Sequence, residues 1–483
     1  MSRKKEIFVP KEPQIDSQKA EIEQYDNWKK PYCIKMYVCG PTVYDFAHLG
    51  NARAMVAFDV LYRLLRHMYA SVIYVRNITD IDDKIYTASL EKQCHFSEIA
   101  RKFEIEFLHD MHKLNVYDPT YSPRATEFID QMMTMIARLI NKGFAYEANG
   151  HVLFEVSKYS EYGKLSSKTP EELLAGARVE VATYKKNPCD FVLWKPSHDN
   201  VPGWDSPWGY GRPGWHIECS AMSYFYLGDV FDIHAGGIDL IFPHHENERA
   251  QSCGALGVSE MARFWLHNGH LMINGKKMSK SLGNFFTVRE LLEKYPAEVI
   301  RLTLISTHYR QPLDWTYQLL IMAQQLLNKW YRILCKQCDG DDSISKDIIE
   351  NPKNVFDANI DRIQELGHDF FAALCDDMNT PIAIQCLNQM IQEYDKTPSK
   401  ELFVAICYCG HILGILFYVP HQWFQSNTKS DLDEVFINAK IDERAQAKRN
   451  KNFALSDKIR DELFEHGIVL EDSAQGTSWR RNG

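Results

Sequence analysis

The sequence predicts an α/β fold whose parallel sheet is interrupted by an insertion and followed by a helical bundle and a small C-terminal module. Three observations predict this fold. They are a strand-helix-strand unit near the start of the chain, renewed alternation of strand and helix after residue 215, and an almost wholly helical pattern from Thr316 to about residue 420. The 483 residues accommodate roughly three domains of about 150 residues each.

The first strand-helix-strand unit covers residues 36–75. Residues 36–39 form a short apolar run, which a Gly-Pro-Thr turn ends. Apolar side chains then recur at helical spacing over residues 51–69, and residues 72–75 are rich in β-branched side chains. Two strands joined through a helix are typical of a parallel sheet.

Residues 115–214 have a different character and predict an insertion between two halves of the α/β domain. The pattern there indicates a helix over residues 129–140, an alternating strand over residues 152–156, and loops rich in Pro and Trp over residues 202–213. We therefore expect the first half at residues 1–114 and the second at residues 215–315. In the second half, a strand over residues 230–233 precedes a Gly-Gly turn and helical spacing over residues 244–251.

The remaining chain predicts a helical bundle at residues 316–425 and a C-terminal module at residues 430–483, joined by a polar linker. Residues 403–419 are apolar apart from His411 and approach the length that spans a bilayer. Gly410, Gly414 and the stop at Pro420 favour a buried bundle helix instead. We expect no association with a membrane.

Charge and cysteine content narrow the class of protein. Lys and Arg number 55 and Asp and Glu 64, a net charge of −9, which excludes a protein that coats DNA. A polyanion must then bind locally, and residues 444–460 carry six basic side chains against one acidic, a net +5, ahead of Trp479, Arg480 and Arg481. The twelve cysteines are scattered, and no apolar leader follows the basic start, so a reducing, cytoplasmic setting is predicted.

Two short stretches indicate phosphate chemistry. The first predicted strand ends and the first predicted helix begins near His48, Gly50 and Asn51. Backbone amides at the start of a helix favour phosphate. Residues 274–281 form a small loop with three lysines, which suits a triphosphate and a leaving pyrophosphate. Taken alone, the first stretch is more typical of an ordinary turn and the second of a solvated basic loop.

Together, the two stretches resemble the ATP signatures of class I aminoacyl-tRNA synthetases, and longer words resemble the cysteinyl-tRNA synthetase family. Those words occur in the family's order and run essentially end to end: residues 36–44 (MYVCGPTVY), 76–84 (RNITDIDDK), 211–222 (GRPGWHIECSAM), 242–248 (FPHHENE), 306–310 (STHYR) and 476–480 (GTSWR). Two positions depart from the wider pattern. Asn51 stands where many class I enzymes have a second histidine, and Ala235 stands where a glycine is usual.

The resemblance implies a Rossmann-like catalytic domain that joins L-cysteine to tRNA(Cys) through a cysteinyl adenylate, with ATP and Mg²⁺ as substrate. It implies a monomer whose C-terminal module binds the anticodon. We expect the basic residues of 444–460 to contact phosphates, and Trp479, Arg480 and Arg481 to stack on and hydrogen-bond to unpaired anticodon bases. Catalytic roles fall on His48, Asn51, Lys277 and Lys280. The implied ATP contacts are His48, Gly50, Asn51, Gly237, Asp239, Lys277, Ser279 and Lys280. The implied amino-acid contacts are Thr79, Trp215 and His234, each of which also has an ordinary structural interpretation.

The resemblance also implies one Zn²⁺ per subunit, bound by Cys39, Cys219, His244 and Glu248. Spacing alone identifies only part of this set, because the cysteines lie far apart, whereas His244 and Glu248 at i and i+4 share one helical face. The residue four positions after His245 is an arginine, so the His-Glu-x-x-His pattern of zinc peptidases is missing. A zinc that binds thiolate separates cysteine from serine better than pocket shape does.

Two other functions stay open from the sequence. A cysteine ligase that acts on a small amino-sugar acceptor would resemble the catalytic domain but lack the C-terminal region. A catalytically silent tRNA-binding regulator would have lost a lysine or a zinc ligand. Two further clusters predict structural roles: Cys335 with Cys338 in the helical region, and the acids Asp80, Asp82 and Asp83 as strand-end or helix caps.

Overall fold

The computed structural model describes residues 5–11, 29–168, 172, 183–198, 201–278, 285–337, 346–348, 351–426, 434–450, 452–465, 468–473 and 476–481. The chain forms two compact units. The first comprises residues 1–293, 304–316 and 374–381, and the second comprises residues 294–303, 317–373 and 382–483. The five-part division expected from the sequence stays a prediction.

A four-stranded sheet forms the centre of the first unit. Its strands are β1 (Lys30–Val38), β2 (Tyr69–Arg76), β7 (Phe231–Gly237) and β8 (Ala262–Asn268). The order is β2-β1-β7-β8 and every pairing is parallel, which confirms the predicted parallel sheet. Strands β1 and β2 are both longer than the apolar runs that predicted them. They begin at Lys30 and Tyr69, where the two strands start to pair.

The order of the strands indicates where this sheet would bind a ligand. After β1, helix α1 (Leu49–Met68) leads to β2 on one side, and β7 and β8 lie on the other side. The strand order therefore reverses between β1 and β7. In open α/β sheets, ligands bind at such a reversal, beyond the carboxyl ends of the strands.

The predicted insertion contains a second sheet, which is antiparallel and has the order β3-β4-β5-β6. Its strands are β3 (Ala145–Ala148), β4 (His151–Phe154), β5 (Phe191–Pro196) and β6 (Gly211–Pro213). Helices α2 to α5 surround these strands in the chain: α2 (Asp83–Lys92), α3 (Phe96–Lys113), α4 (Ile129–Asn141) and α5 (Trp215–Leu227). Helix α4 matches the predicted span at residues 129–140 to within one residue.

A small third sheet has the order β10-β9-β11. Its strands are β9 (Leu271–Ile273), β10 (Lys276–Lys277) and β11 (Leu313–Trp315). Helix α6 (Glu246–Leu256) precedes it in the chain, and α7 (Val288–Leu292) and α8 (Ala297–Ile305) lie between β10 and β11. The tight turn between β9 and β10 uses Asn274 and Gly275, both at positive φ, so β10 carries the start of the lysine loop.

The rest of the chain is mainly helical, as predicted. The helices are α9 (Tyr317–Gln337), α10 (Pro352–Asp357), α11 (Ile360–Leu366), α12 (His368–Cys375), α13 (Thr380–Lys396), α14 (Lys400–Leu413), α15 (Pro420–Ser426), α16 (Glu434–Arg449) and α17 (Phe453–Glu465). Within the described residues, no helix is both long and apolar enough to cross a bilayer. The apolar stretch at residues 403–419 lies largely in α14, whose residues are mostly buried.

Glu298 is a fully buried acid that joins segments of the second unit. Its carboxylate accepts hydrogen bonds from the Tyr331 hydroxyl at 2.7 Å and from the backbone N–H groups of Leu416 and Phe417 at 3.0 and 2.9 Å. Burial raises the pKa of Glu298 to about 7, although these hydrogen bonds oppose the shift. The acid is therefore a structural group of the bundle.

The C-terminal module folds around a small core of its own. Strands β12 (Ile468–Ser473) and β13 (Gly476–Arg481) form an antiparallel hairpin. Buried side chains from α16, α17 and the hairpin make the core: Ile437, Ile459, Leu463, Ile468 and Trp479.

Candidate metal centre and nucleotide site

The first phosphate stretch is the N-terminus of helix α1. His48 is the N-cap residue, and its ring Nδ1 accepts a hydrogen bond from the backbone N–H of Asn51 at 3.2 Å. In return, Asn51 Oδ1 accepts from the backbone N–H of His48 at 3.2 Å. This reciprocal arrangement fixes the ring at the helix start, where the dipole favours an anion.

Both described flanks of the lysine loop lie against this helix start. On the far side of the loop, the N–H of Leu49 donates to the carbonyl of Phe286 at 3.1 Å, and the Phe285 ring lies 5.5 Å from the His48 ring. On the near side, a Cβ placed on Gly50 would lie 3.7 Å from Cε of Met278. The structure thus brings the two stretches together, although they are more than 200 residues apart.

The loop itself is only partly described. The backbone of Lys277 lies in β10, whereas its side chain, together with Ser279, Lys280 and Ser281, lies outside the described residues. Their roles stay predictions.

Four buried side chains from different elements have possible ligand atoms that all lie within 4.8 Å of one another: Cys39, Cys219, His244 and Glu248. Cys39 follows β1, Cys219 lies near the start of α5, and His244 precedes α6, which contains Glu248. The two Sγ atoms are 3.9 Å apart, and His244 Nε2 lies 2.9 Å from Glu248 Oε1. The last distance bears out the shared face predicted from the i, i+4 spacing.

These four groups fit a tetrahedral zinc ion. Two thiolates bound at about 2.3 Å in a tetrahedron place their sulfurs about 3.8 Å apart, and the observed separation is 3.9 Å. Two sulfurs, an imidazole and a carboxylate also form a donor set that suits Zn²⁺. Each of the four side chains is at most 6 % exposed, so these polar groups need a charged or hydrogen-bonding partner.

Burial, hydrogen bonds and neighbouring charges shift the pKa values of the side chains in this cluster. Burial raises the pKa of Cys39, and its hydrogen bond to Cys219 adds to the shift. Burial opposes ionisation of Cys219 too, but hydrogen bonds from Cys39 and His244 lower its pKa to about 6. Burial disfavours the His244 cation, yet the charge of Glu248 raises its pKa to about 10. A divalent cation would take the place of the protons on Cys39 and His244 and would balance the charges of Cys219 and Glu248.

His234 lies inside the metal cluster, although the resemblance assigns it to the amino acid. Its Nε2 atom is 3.7 Å from Cys39 Sγ and 3.3 Å from Glu248 Oε2. With the fully buried His245 it completes a second possible ligand group, which shares Cys39 and Glu248 with the first. His245 was considered from the sequence only for the zinc-peptidase pattern, and its position beside His244 was the only signal for a place in this cluster.

The other two predicted amino-acid contacts border the cluster. The Trp215 indole is 39 % exposed and stacks on the His244 ring at 4.3 Å between ring centres. Thr79 is 2 % exposed and follows β2. Its hydroxyl contacts Asn77 and Glu218, two buried residues for which the sequence predicted no role.

Gly237 and Asp239, predicted to contact ATP, lie where β7 ends. A Cβ on Gly237 would approach Asp239 Oδ1 to 2.4 Å, so the Asp239 side chain would have to move to accommodate a larger residue. Asp239 is exposed, in a 3-10 turn over Ile238–Leu240. Ala235 stands where a glycine is usual. Its carbonyl accepts a hydrogen bond from the N–H of Cys39 at 3.0 Å.

The C-terminal module contradicts two details of the predicted RNA contacts. Trp479 is 7 % exposed, and its indole N–H donates to Asn438 Oδ1, so it does not present a face for base stacking. Arg444 is 3 % exposed and forms a bidentate pair with Asp472, which also accepts from Lys448. The side chains of Arg480 and Arg481 lie outside the described residues.

The two clusters expected to be structural have ordinary contacts. Asp82 caps α2, Asp83 pairs with Lys195 and Arg212, and Asp80 accepts two hydrogen bonds from Thr126. Cys335 lies in α9, and Cys338 is outside the described residues. No disulfide joins the cysteines of the described chain.

Comparison with known proteins gives two family matches. Residues 27–325 match the class I (C) tRNA synthetase catalytic domain, and residues 436–480 match the cysteinyl-tRNA ligase anticodon binding domain.

Curated relatives cover nearly the whole chain. A cysteine–tRNA ligase of Paramagnetospirillum magneticum is 51% identical over 93% of this chain and 95% of its own. One from Saccharophagus degradans is 47% identical over 99% and 98%.

Solved structures show the same fold at low sequence identity. A methionyl-tRNA synthetase of Mycobacterium tuberculosis, in complex with methionyl-adenylate, has a TM-score of 0.55 and 15% identity over 79% of this chain and 89% of its own. LeuRS of Agrobacterium radiobacter has a TM-score of 0.58 and 11% identity over 84% and 86%.

Proposed function

Because the chain belongs to the cysteinyl-tRNA synthetase family and charges tRNA with cysteine, we propose how its residues divide that work. The single observation that carries the proposal is the buried cluster of Cys39, Cys219, His244 and Glu248, in which Cys39 follows β1 on the segment that leads to His48.

In the first step, a carboxylate oxygen of cysteine attacks the α-phosphorus of ATP. The bond to pyrophosphate breaks, and cysteinyl adenylate and Mg²⁺-pyrophosphate result. The negative charge on the transferring phosphates is stabilised by His48, Asn51, Lys277 and Lys280. The further ATP contacts are Gly50, Gly237, Asp239 and Ser279. In the second step, a hydroxyl of the terminal tRNA adenosine attacks the adenylate carbonyl and AMP leaves. Positioning and electrostatics carry both steps.

Selection of cysteine falls on the metal cluster. Zinc, held by Cys39, Cys219, His244 and Glu248, would supply a soft acceptor for the substrate thiolate, which the hydroxyl of serine matches poorly. Trp215 stacks on the ligand His244 and borders the same place. His234, within reach of Cys39 and Glu248, fixes the orientation of these ligands.

The second family match favours tRNA over a small amino-sugar acceptor, because residues 436–480 match an anticodon binding domain. We place the catalytic halves at residues 1–114 and 215–315, the insertion at residues 115–214, the bundle at residues 316–425 and the anticodon module at residues 430–483. The enzyme would act as a monomer in the cytoplasm.

The direct test is ATP-pyrophosphate exchange driven by cysteine, with serine as the control amino acid. The proposal expects exchange with cysteine and at least about a hundredfold less with serine, because shape alone separates near-isosteres by about that factor. No exchange with cysteine contradicts the activation step, and equal exchange with serine contradicts the role of zinc.

Gly50→Ala is expected to raise KM for ATP about tenfold. The added Cβ would lie 2.9 Å from Cε1 and 3.0 Å from Nδ1 of the His48 ring, so the ring that caps α1 must move. Loss of one charge-assisted contact to phosphate corresponds to about that factor. Exchange kinetics at varied ATP measure it, and an unchanged KM for ATP would separate His48 from phosphate binding.

Arg444→Leu is expected to impair tRNA charging and leave amino-acid activation intact. The change removes the bidentate pair with Asp472 and leaves that carboxylate, in the hairpin of the anticodon module, with Lys448 and Thr477 as its partners. We expect KM for tRNA to rise about tenfold or more in aminoacylation, with unchanged cysteine-dependent exchange. A parallel loss of exchange would show that the module stabilises the whole enzyme.

A further inference from the structure

Arg289 is a charged side chain just beyond the lysine loop that the proposed chemistry does not use. It is the second residue of helix α7, whose N-cap is Thr287. Its guanidinium forms ion pairs with two acids of helix α3, Asp110 at 3.1 Å and Glu106. The same group lies over the Phe46 ring, 5.0 Å from the ring centre. Arg289 therefore connects three segments of the first unit.

One face of helix α3 holds all of these contacts together. Phe103, Glu106 and Asp110 lie at positions i, i+3 and i+7 of α3, so they are neighbours on that face. Phe46 makes a T-shaped contact with Phe103, with the ring centres 5.3 Å apart. The same face thus binds Phe46 through a ring and Arg289 through two carboxylates.

The burial of Asp110 distinguishes this arrangement from a solvated ion pair. The Asp110 side chain is 1 % exposed, whereas those of Arg289 and Glu106 are 30 % and 27 % exposed. Exposed ion pairs contribute little to stability, but a buried carboxylate is costly when its cation is removed. Without Arg289, Asp110 would keep the exposed ring of His109 at 3.4 Å and lose its guanidinium. The pair therefore holds α7 firmly against α3.

The segment before Arg289 holds the backbone on both sides of His48. The carbonyl of Phe286 accepts a hydrogen bond from the N–H of the residue after His48 at 3.1 Å, and the N–H of Val288 donates to the carbonyl of the residue before it at 2.8 Å. His48 and Thr287 thus face each other in an antiparallel bridge. A shift of α7 would therefore be transmitted to the His48 backbone.

We propose that Arg289 is a positioning residue of the phosphate site, which ties α7 to α3 across Phe46 and so fixes the His48 ring at the start of α1. Phe46 lies two residues before His48, so the restraint acts on both sides of the bridge. The inference rests on the proposed function, because it takes the proposed role of His48 at the phosphates of ATP. Arg289 acts through His48 and not on ATP itself.

The test is the split between KM for ATP and KM for cysteine in pyrophosphate exchange. Arg289→Met removes both ion pairs and keeps much of the side-chain length. It is expected to raise KM for ATP about tenfold, since a displacement of about 1 Å costs up to about 100-fold. KM for cysteine is expected to stay within twofold of wild type. An unchanged KM for ATP, or equal rises for both substrates, would overturn the inference.

Glu104→Gln is the matched control. Glu104 lies on the same helix as Glu106, but it pairs with Arg124 at 2.7 Å and not with Arg289. Both KM values of this variant are expected to stay within twofold of wild type. A rise in KM for ATP equal to that of Arg289→Met would show that any disturbance of α3 is sufficient, which contradicts a specific role for Arg289.

A double-mutant cycle separates action through His48 from independent effects. His48→Asn removes the ring and keeps a side chain that caps α1. The dissociation constant of ATP is measured by equilibrium dialysis without cysteine. Arg289→Met is expected to raise it about tenfold in the wild-type background and less than twofold in the His48→Asn background, because the ring that it positions is gone. Effects that multiply would overturn the inference.

Glu106→Gln keeps the inference testable if Arg289→Met does not fold. Glu106 is partly exposed, so its replacement removes one ion pair without leaving a buried charge. KM for ATP is expected to rise about threefold, the effect of one partly exposed pair, with KM for cysteine unchanged. The absence of any such split would contradict the inference. A wild-type enzyme without cysteine-dependent exchange would instead contradict the proposed function.

Discussion

Cys219→Ser is expected to lower cysteine-dependent pyrophosphate exchange by at least about 1000-fold, and to leave less than one zinc per chain. The change replaces the thiol with the lowest pKa in the cluster, about 6, with a hydroxyl that does not ionise near neutral pH. The soft ligand is lost, whereas substitutions that merely support metal ligands cost 10- to 100-fold. Metal analysis of the purified protein and exchange kinetics measure the two effects separately.

Cys253→Ser is the matched control for this prediction. Cys253 is also a buried cysteine of the first unit, 5 % exposed and located in α6, but it belongs to neither possible ligand group. We expect it to retain full zinc and exchange within about threefold of wild type. Full zinc content in the Cys219→Ser protein would remove Cys219 from the ligand set.

Lys280→Ala is expected to lower kcat of exchange about 100- to 1000-fold, with a smaller change in KM for ATP. Both described flanks of its loop lie against the start of α1, through Phe286 and Met278, which supports the proposed role of Lys280 at the phosphates. A cation that meets charge developing on the leaving pyrophosphate contributes mainly in the transition state. Removal of one such group costs about that factor.

Lys276→Ala provides the comparison within the same hairpin. Lys276 is exposed and begins β10, where its backbone pairs with Ile273, and it precedes the signature lysines. We expect at most about a twofold change in kcat, since an exposed substitution away from the site has small effects. Equal losses for Lys276→Ala and Lys280→Ala would indicate that general positive charge, rather than a positioned lysine, supports the reaction.

The sequence predicted those features that repeat locally. The parallel sheet followed from one strand-helix-strand unit, and the pairing of His244 with Glu248 followed from helical spacing. The approach of Cys39 to Cys219 has no local signal, because it joins the end of β1 to helix α5, 180 residues later in the chain. It was predicted only by resemblance. The contacts of Asn77 and Glu218 were not predicted for the same reason, since their partners Gly40 and Thr79 belong to distant segments of the chain.

The errors at the C-terminus have a single physical origin. Counting charge over residues 444–460 treats every basic side chain as solvated, but the partner of Arg444, Asp472, lies 28 residues later and outside the counted segment. Likewise, Trp479 reads as an available aromatic until the hairpin folds it against Ile437 and Leu463. Because the hairpin closes a small core, Arg444 and Trp479 make contacts within the module, although the sequence predicts that they contact RNA.

The long separation within the metal cluster bears on how the protein is made. Cys39 meets Glu248 only after another 209 residues have been joined to the chain. At about 5–20 residues per second, that synthesis takes roughly 10–40 s. Throughout this interval a nascent Cys39 has no completed site to enclose it, and the thiol depends on the surrounding redox poise to remain a competent ligand. Assembly of the site is therefore a late event in translation.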